Sequence, residues 1–376
     1  MKTKFLFTTI FLSMCMCFGF VATNLEALAE CTLNLVTKNE HHEYSRIHTP
    51  LYTISIVVEV DGKEVCNFET SYLDQAVAIV RELQSEQTSL MLRTNSIELA
   101  KVFSVKYLRR YENPLYVLDL DKTVLRRNPK SDGPDPDGVY ELFKERSRSD
   151  DPNHFATKSS VAVMRPDGMV PVENATIPTL EDLQRHFNVI ALTSRVPQFM
   201  MGITFEQLEH LGIDFSLSSP VKKDFVFPDV GSFTNGAMFL QELQQKGPAL
   251  ALLLERFELV GYKPGSVVFI DDSEKHVASV ANAMAGISMP CLSFHYTAAL
   301  GREQETENKL IILKQFGQMV LTEQLGQDNP EVARILRQGL FAAFGDETAP
   351  PSPTRLGRCA SVTGGMIPPR PRQPVR

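Results

Sequence analysis

The stretch LYVLDLDKT at residues 115–123 decides the fold class, because a short apolar run ends abruptly in charged residues. Two further stretches share this form: residues 189–192 precede Thr193, and residues 267–270 precede Asp271. Continuous apolar strands that alternate with helical patterns are typical of a parallel sheet covered by helices on both faces. Helices are predicted at 179–187, 204–211, 247–260 and 273–286. We therefore predict an α/β protein with a three-layer α/β/α core.

Polar residues stand at the end of each predicted strand, where parallel sheets bind their ligands. Asp119 and Asp121 follow the first strand, and two anions so close repel each other unless a cation neutralises them. Magnesium, a hard ion that prefers oxygen, suits such a pair. By itself the pattern DxDxT also occurs by chance, and the alternative is a helix N-terminal loop without chemistry.

The ends of the other two predicted strands, and the helix before the third, also carry polar or charged side chains. Thr193 supplies a hydroxyl, Asp271 and Asp272 supply two more carboxylates, and Lys246 opens the helix that precedes the third strand. In order and spacing these motifs resemble the haloacid dehalogenase-type phosphatase superfamily over residues 114–300. The phrases ALTSR, QQKGPAL, VFIDD and SFHYTAA resemble an uncharacterised branch of secreted bacterial proteins, and the general plan is similar to secreted acid phosphatases.

The resemblance implies a Rossmann-like parallel sheet with an insertion after the first motif, and it implies a role for each matched residue. Asp119 would be the nucleophile that forms an aspartyl-phosphate, and Asp121 the general acid and then the base. Thr193 and Lys246 would bind the phosphate. Magnesium would be held by Asp119, Asp121 and Asp272, with support from Asp271, Thr123 and Arg195. One cation, one lysine and one hydroxyl around a carboxylate provide the positioning and charge neutralisation that phosphoryl transfer needs.

Several residues have two interpretations. Lys222 or Lys223 could replace Lys246, although Lys246 is favoured because it opens a helix. Arg195 either contacts substrate or pairs with an acidic loop. His276 is favoured as a partly exposed helix residue and His295 as a structural one. The run EHHE at residues 40–43 is either a metal site or, as is more common, a solvated loop.

The segment 1–29 has the form of a secretory signal peptide. Lys2 and Lys4 precede an uncharged run from Phe5 to Ala22, and an Ala-x-Ala pattern ends at Ala29. An uncleaved membrane anchor is the alternative. Cleavage after Ala29 predicts an exported chain, secreted or periplasmic, without stable membrane insertion.

The mature chain divides by composition and pattern. We predict a small α+β lead-in at 30–112, the phosphatase-like core at 113–300 with an insertion at 124–178, C-terminal helices at 301–345, and a disordered tail rich in proline and arginine at 346–376. Tight hairpins are predicted at Asp61-Gly62 and Asn235-Gly236.

Charge and cysteine content exclude other classes of protein. With 38 Lys plus Arg against 45 Asp plus Glu, the net charge of −7 argues against nucleic-acid binding. Six cysteines are too few for a disulfide scaffold, and there is no CxxC pair to suggest a zinc site. After export Cys31, Cys66, Cys291 and Cys359 remain. A Cys31–Cys66 disulfide is the favoured pairing, and free thiols are the alternative.

These observations predict an exported, Mg²⁺-dependent phosphomonoesterase that acts on a phosphorylated substrate. The alternatives are a secreted interaction protein that keeps this fold without turnover, or a phosphotransferase with an alcohol acceptor. The sequence specifies neither the substrate nor the oligomeric state.

Overall fold

The computed structural model describes residues 90–129, 135–146 and 151–299, together with three N-terminal strands and the helical residues 74, 77 and 78. The signal peptide at 1–29, the EHHE run, the helices at 301–345 and the tail at 346–376 lie outside this part of the chain and stay predictions. Within the described residues, no helix combines the length and apolar character needed to cross a membrane.

Within the described residues, eleven strands form one sheet and two short strands form a separate ribbon. In chain order they are β1 Cys31–Lys38, β2 Thr53–Val60, β3 Lys63–Thr70, β4 Leu90–Thr94, β5 Pro114–Leu118, β6 Leu125–Arg127, β7 Met169–Pro171, β8 Asn188–Thr193, β9 Phe225–Phe227, β10 Gly231–Thr234, β11 Ala237–Leu240, β12 Ser266–Asp271 and β13 Cys291–Tyr296. The sheet has the order β3-β2-β1-β4-β13-β12-β5-β8-β11-β10-β9, and β6 pairs with β7 in the ribbon.

The centre of the sheet is parallel. Among the described strands, the run β4-β13-β12-β5-β8-β11 is parallel at each of its pairings. The three strands predicted from the apolar runs are β5, β8 and β12, and they lie side by side in the order β12-β5-β8. Their carboxyl ends therefore meet at one edge of the sheet.

Helices cover both faces of the sheet. The described helices are α1 Ile97–Tyr107, α2 Pro136–Arg146, α3 Pro152–Val161, α4 Thr176–His186, α5 Pro197–His210, α6 Lys246–Leu259 and α7 Glu274–Gly286. Tyr116 and Leu118 of β5 pack with α1, α4 and α5, whereas Leu115 and Val117 pack with α6 and α7. Successive side chains of a strand point to opposite faces, so this alternation divides the core into two apolar layers. The predicted three-layer α/β fold is confirmed.

Two helices begin earlier than predicted. Helix α5 begins at Pro197, where a proline fits the first helical position, rather than at residue 204. Helix α4 begins at Thr176, and Pro178 lies in its first turn, where no intrahelical partner for its nitrogen is needed.

The lead-in is continuous with the core sheet. Strand β4 pairs in parallel with β13, and β1 pairs in parallel with β4. Strands β2 and β3 extend the same sheet by antiparallel pairing. The boundary predicted near residue 113 therefore does not coincide with an edge of the sheet.

The favoured Cys31–Cys66 disulfide is wrong. Cys31 of β1 lies opposite Val60 of β2, and Cys66 of β3 lies opposite Val58 of β2, so β2 separates the two cysteines. Neighbouring strands are about 4.8 Å apart, which places these Cα atoms roughly 9–10 Å apart or more. A disulfide needs Cα atoms within about 7 Å of each other.

The hairpin predicted at Asn235-Gly236 joins β10 to β11. Both turn residues have positive φ angles, 48° and 77°, as a type I′ turn requires. A Cβ atom at Gly236 would lie 2.4 Å from the carbonyl oxygen of Phe215, so only glycine fits this position.

The insertion after the first motif packs against the carboxyl-end side of the sheet. It contains the β6–β7 ribbon and helices α2 and α3. On α3, the His154 ring meets Phe199 of α5 edge-on, with 4.9 Å between the ring centroids. The Thr157 hydroxyl donates to Glu242, just beyond the end of β11, at 3.0 Å. These contacts place the insertion beside the strand ends that carry the polar motifs.

Candidate active site

Three carboxylates converge where β5 and β12 end. Asp119 directly follows β5, Asp271 is the last residue of β12, and Asp272 follows it. One oxygen atom from each lies within 4.8 Å of the other two. The backbone joins the two strand ends, because the Asp119 nitrogen donates to the Ile270 carbonyl at 2.9 Å. The predicted convergence of Asp119 with Asp272 is therefore present in the structure.

Lys246 lies between two of these carboxylates. It is the first residue of α6 and is 1% exposed, with its Nζ donating to Asp119 Oδ1 and, at 2.7 Å, to Asp271 Oδ2. Burial alone would lower the pKa of Lys246, but the two carboxylates raise it above its usual value. The lysine is therefore a fixed positive charge beside Asp119.

The other two lysine candidates lie elsewhere. Lys222 and Lys223 are exposed and line a surface cleft together with Tyr262. Tyr262 belongs to the segment that leads to the amino end of β12. Lys222 Nζ donates to the carbonyl oxygens of Ser216 and Leu217. The structure therefore brings Lys246 to the carboxylates and leaves Lys222 and Lys223 at the opposite edge of the sheet.

The carboxylates are poorly neutralised by protein groups alone. Burial raises the pKa of Asp119, and Asp271, Asp121 and Asp272 add to this rise, whereas Lys246 opposes it. Burial and the neighbouring Asp271 raise the pKa of Asp272 to about 6. Burial would also raise the pKa of Asp271, but Lys246 and His276 together outweigh it and lower the pKa. Closely spaced oxygen ligands with excess negative charge are the donor set that a hard divalent cation prefers, so these residues fit such an ion.

Asp121 is held by an arginine. The Arg195 side chain, 2% exposed, donates from Nε to Asp121 Oδ2 at 2.9 Å and from Nη2 to Oδ1 at 2.7 Å. Its Nη1 donates to Thr204 and Gln207 of α5, at 2.9 and 2.7 Å. Arg195 therefore pairs with Asp121 of the first motif, and contact of Arg195 with substrate stays a prediction.

The ion pair with Arg195 sets the pKa of Asp121 and keeps its carboxylate apart from the other three. Desolvation would raise the pKa of Asp121, but the Arg195 charge and hydrogen bonds outweigh it and lower the pKa. The Asp121 carboxylate does not belong to the group formed by Asp119, Asp271 and Asp272. The sequence predicts this side chain among the metal ligands, and in the structure it binds Arg195 instead.

Two hydroxyl groups complete the predicted set. Thr123 is fully buried, and its hydroxyl donates to Asp119 Oδ2 at 3.4 Å. Thr193 is also buried, at the end of β8, which is the neighbour of β5. Its Oγ1 accepts a hydrogen bond from the main-chain nitrogen of Arg195 at 3.2 Å.

Two histidines lie closer to the site than the sequence indicates. His276, with a side chain that is 28% exposed on α7, has its Nδ1 3.4 Å from Asp271 Oδ1. His295 of β13 is nearly buried, and its Nε2 lies 3.0 Å from the main-chain oxygen of Asp272. The sequence does not single out His295 for the site, because CLSFHY mixes polar with apolar residues and does not reveal which strands lie beside it.

Comparisons with known proteins give a family and one loose structural match. The profile of the family described as "Protein of unknown function (DUF2608)" matches residues 78–328. No curated protein matches the chain significantly. Among solved structures, a hydrolase of the haloacid dehalogenase-like family from Streptococcus pneumoniae matches with 14% sequence identity and a TM-score of 0.31. The alignment covers 54% of this chain and 98% of that one. A score this low carries no weight for fold or function, so both rest on the chain's own residues.

Proposed function

The chain belongs to the family described as a protein of unknown function (DUF2608), and we propose its function from the site itself. We infer that it is an exported, Mg²⁺-dependent phosphomonoester hydrolase that works through an aspartyl-phosphate. The order of the motifs, similar to that of haloacid dehalogenase-type phosphatases, supports this assignment. The basic start and the apolar run within segment 1–29 support export.

The contact of Lys246 with both Asp119 and Asp271 carries the proposal. The lysine fixes Asp119 Oδ1, while Oδ2 accepts a long hydrogen bond from Thr123. A carboxylate held on one side, with a lone pair free on the other oxygen, has the geometry of a nucleophile. A lysine whose charge is fixed by two carboxylates also neutralises charge on an incoming phosphate.

The reaction would proceed in two displacements. An Asp119 oxygen attacks phosphorus, the bond from phosphorus to the ester oxygen breaks, and that oxygen takes a proton from Asp121 and leaves as the alcohol. A water molecule then attacks the aspartyl-phosphate, gives its proton to Asp121, and releases inorganic phosphate and free Asp119. Thr193 and Lys246 bind phosphoryl oxygens in both steps. Mg²⁺, held by Asp119 and Asp272, would supply charge neutralisation at the phosphate.

The ion pair with Arg195 suits one of the two roles of Asp121. An ionised Asp121 is ready to accept a proton from water in the second step. In the first step Asp121 must hold a proton, which the Arg195 charge opposes. The chemistry therefore favours esters whose leaving group is stable as an anion.

A generic aryl phosphate tests the proposal. The purified protein is assayed with and without Mg²⁺, and with a chelator, beside Asp119→Asn and the control Asp224→Asn, which alters an exposed aspartate. We expect turnover that needs Mg²⁺, is lost in Asp119→Asn and is retained in the control. Acid quenching should trap phosphoprotein in the wild type.

Other outcomes would overturn parts of the proposal. Unchanged activity in Asp119→Asn would remove this residue as the nucleophile. Absence of turnover with Mg²⁺ would favour a non-catalytic interaction protein on the same fold. Transfer of phosphate to added glycerol faster than to water would make the protein a phosphotransferase.

A further inference from the structure

We propose that His295 is a positioning residue for the cation site: with Arg93 it holds the main-chain carbonyl of Asp272 and so aims the Asp272 carboxylate. This inference rests on the proposed function, because it assigns to Asp272 the role of a Mg²⁺ ligand. It adds a residue pair from β13 and β4 that no motif in the sequence singles out for the site.

The register of three parallel strands brings the participants together. Asp271 of β12 lies opposite His295 of β13, and His295 lies opposite Arg93 of β4. Residues in register on parallel strands project toward the same face about 4.8 Å apart. The three side chains therefore form a row at the carboxyl edge of the sheet, next to the turn that contains Asp272.

Hydrogen bonds along this row have a defined direction. The Arg93 Nε–H donates to His295 Nδ1 at 3.3 Å, and an arginine side chain can only donate. His295 Nδ1 is therefore the acceptor, and the ring proton is on Nε2. Nε2–H in turn donates to the main-chain oxygen of Asp272 at 3.0 Å. Arg93 thus selects the tautomer that can hold the Asp272 carbonyl.

The Asp272 turn is anchored on both sides as a result. On one side, the Asp271 carboxylate accepts from Lys246 Nζ at 2.7 Å and from the Ser273 nitrogen at 2.8 Å. On the other side, His295 fixes the Asp272 carbonyl. Between these anchors, Asp272 is only partly buried. Outer partners that orient a ligand typically change metal affinity by about 10–100-fold when they are replaced.

Two isosteric substitutions separate positioning from packing. In His295→Gln the side-chain amide nitrogen takes the place of Nε2 and can still donate to the Asp272 carbonyl. In His295→Asn the amide group takes the place of Nδ1, so contact with Arg93 is kept and the bond to Asp272 is lost. Both replace a nearly buried ring by a smaller amide side chain, and because Asn is one methylene smaller than Gln, the Tm of each variant reports its own loss of packing.

The measurement is Mg²⁺ affinity by titration calorimetry on the purified protein, with Tm recorded for each variant by circular dichroism. We expect the Kd of His295→Asn for Mg²⁺ to be about 10–100-fold larger than that of wild type, and the Kd of His295→Gln to stay within a few-fold of wild type. A role in packing alone would lower Tm in both variants and leave the two Kd values alike. Equal Kd values in the two variants would therefore overturn the proposal.

Two further outcomes are decisive. Should His295→Asn not fold, Arg93→Met tests the row from its outer end, and an unchanged Mg²⁺ affinity there would overturn the proposal. A wild-type protein that binds no Mg²⁺ would contradict the proposed function as a whole. Wild-type binding with unaltered affinity in His295→Asn would contradict only the role of His295.

Discussion

Replacing Gly247 by alanine should damage both stability and turnover, because this glycine of α6 lies directly against Ser279 of α7. A Cβ atom at Gly247 would lie 2.1 Å from the Ser279 carbonyl oxygen and 2.6 Å from its carbonyl carbon. The Gly247 nitrogen also donates to Ser279 Oγ at 3.2 Å. Side-chain carbons essentially never come within 3.0 Å of such atoms, so one helix must move by about 1 Å relative to the other.

The size of the effect follows from this displacement. Overpacking a buried contact costs about 1–3 kcal/mol. For a chain of 376 residues, that lowers Tm by about 1–4 °C. Gly247 is the neighbour of Lys246, so a shift of α6 also moves Nζ away from Asp119 and Asp271. A misplacement of about 1 Å at a catalytic group can lower kcat by about 10²-fold.

Gly202→Ala is the matched control. Gly202 lies within α5, and a Cβ atom there would meet nothing within 4 Å. This substitution should stabilise the protein by about 0.5–1 kcal/mol, because alanine loses less conformational freedom in a helix than glycine does. Thermal unfolding and aryl phosphate turnover are measured for both variants. A Gly247→Ala protein as stable and active as wild type would refute the reasoning.

Three more predictions address charge. Without a cation, Asp272 has a raised pKa of about 6, so it is protonated below that pH and ionised above it. Mg²⁺ affinity measured by calorimetry should therefore fall by up to about tenfold per pH unit below pH 6. Equal affinity at pH 5 and pH 7.5 would contradict this role of Asp272. Lys246→Met should lower the free energy of unfolding by about 3–5 kcal/mol, because two buried carboxylates lose their partner, whereas Lys223→Met, which changes an exposed side chain, should alter it little in the same denaturation experiment. The ion pair of Asp121 with Arg195 limits proton donation, so kcat/KM should fall by up to about 10²–10⁴-fold from aryl to alkyl phosphates; a kcat/KM independent of the leaving group would contradict that limit.

The centre of the fold could be predicted from the sequence because burial on both faces leaves a clear local pattern. The apolar runs that form β5, β8 and β12 can be recognised without knowledge of the rest of the chain. Strands β4 and β13 leave no such pattern, because their sequences, LMLRT and CLSFHY, mix polar with apolar residues over a few positions. Their place beside β12 depends on pairing between segments that lie far apart in the chain, as Arg93 and His295 do.

The candidate site was predictable to the same extent. Residues that end strands or open helices, such as Asp119 and Lys246, follow from local position. The partner of Arg195 does not, since it depends on how Thr204 and Gln207 of α5 constrain the guanidinium. The wrong Cys31–Cys66 pairing has the same cause. Proximity along the chain does not give the lateral order of strands, and the β2–β3 hairpin places β2 between them.

The balance of charge connects the ion pairs to the need for a cation. Four carboxylates belong to the proposed site, and two of them, Asp119 and Asp271, share the single charge of Lys246. Asp121 forms a bidentate ion pair with Arg195, which balances its charge. With every carboxylate ionised, two negative charges therefore remain, and together with burial the charge of the neighbouring Asp271 raises the pKa of Asp272. A phosphate dianion would add two more and be repelled, whereas one divalent cation restores neutrality before the substrate arrives. The arrangement of the protein's own charges thus favours a site in which the cation binds first.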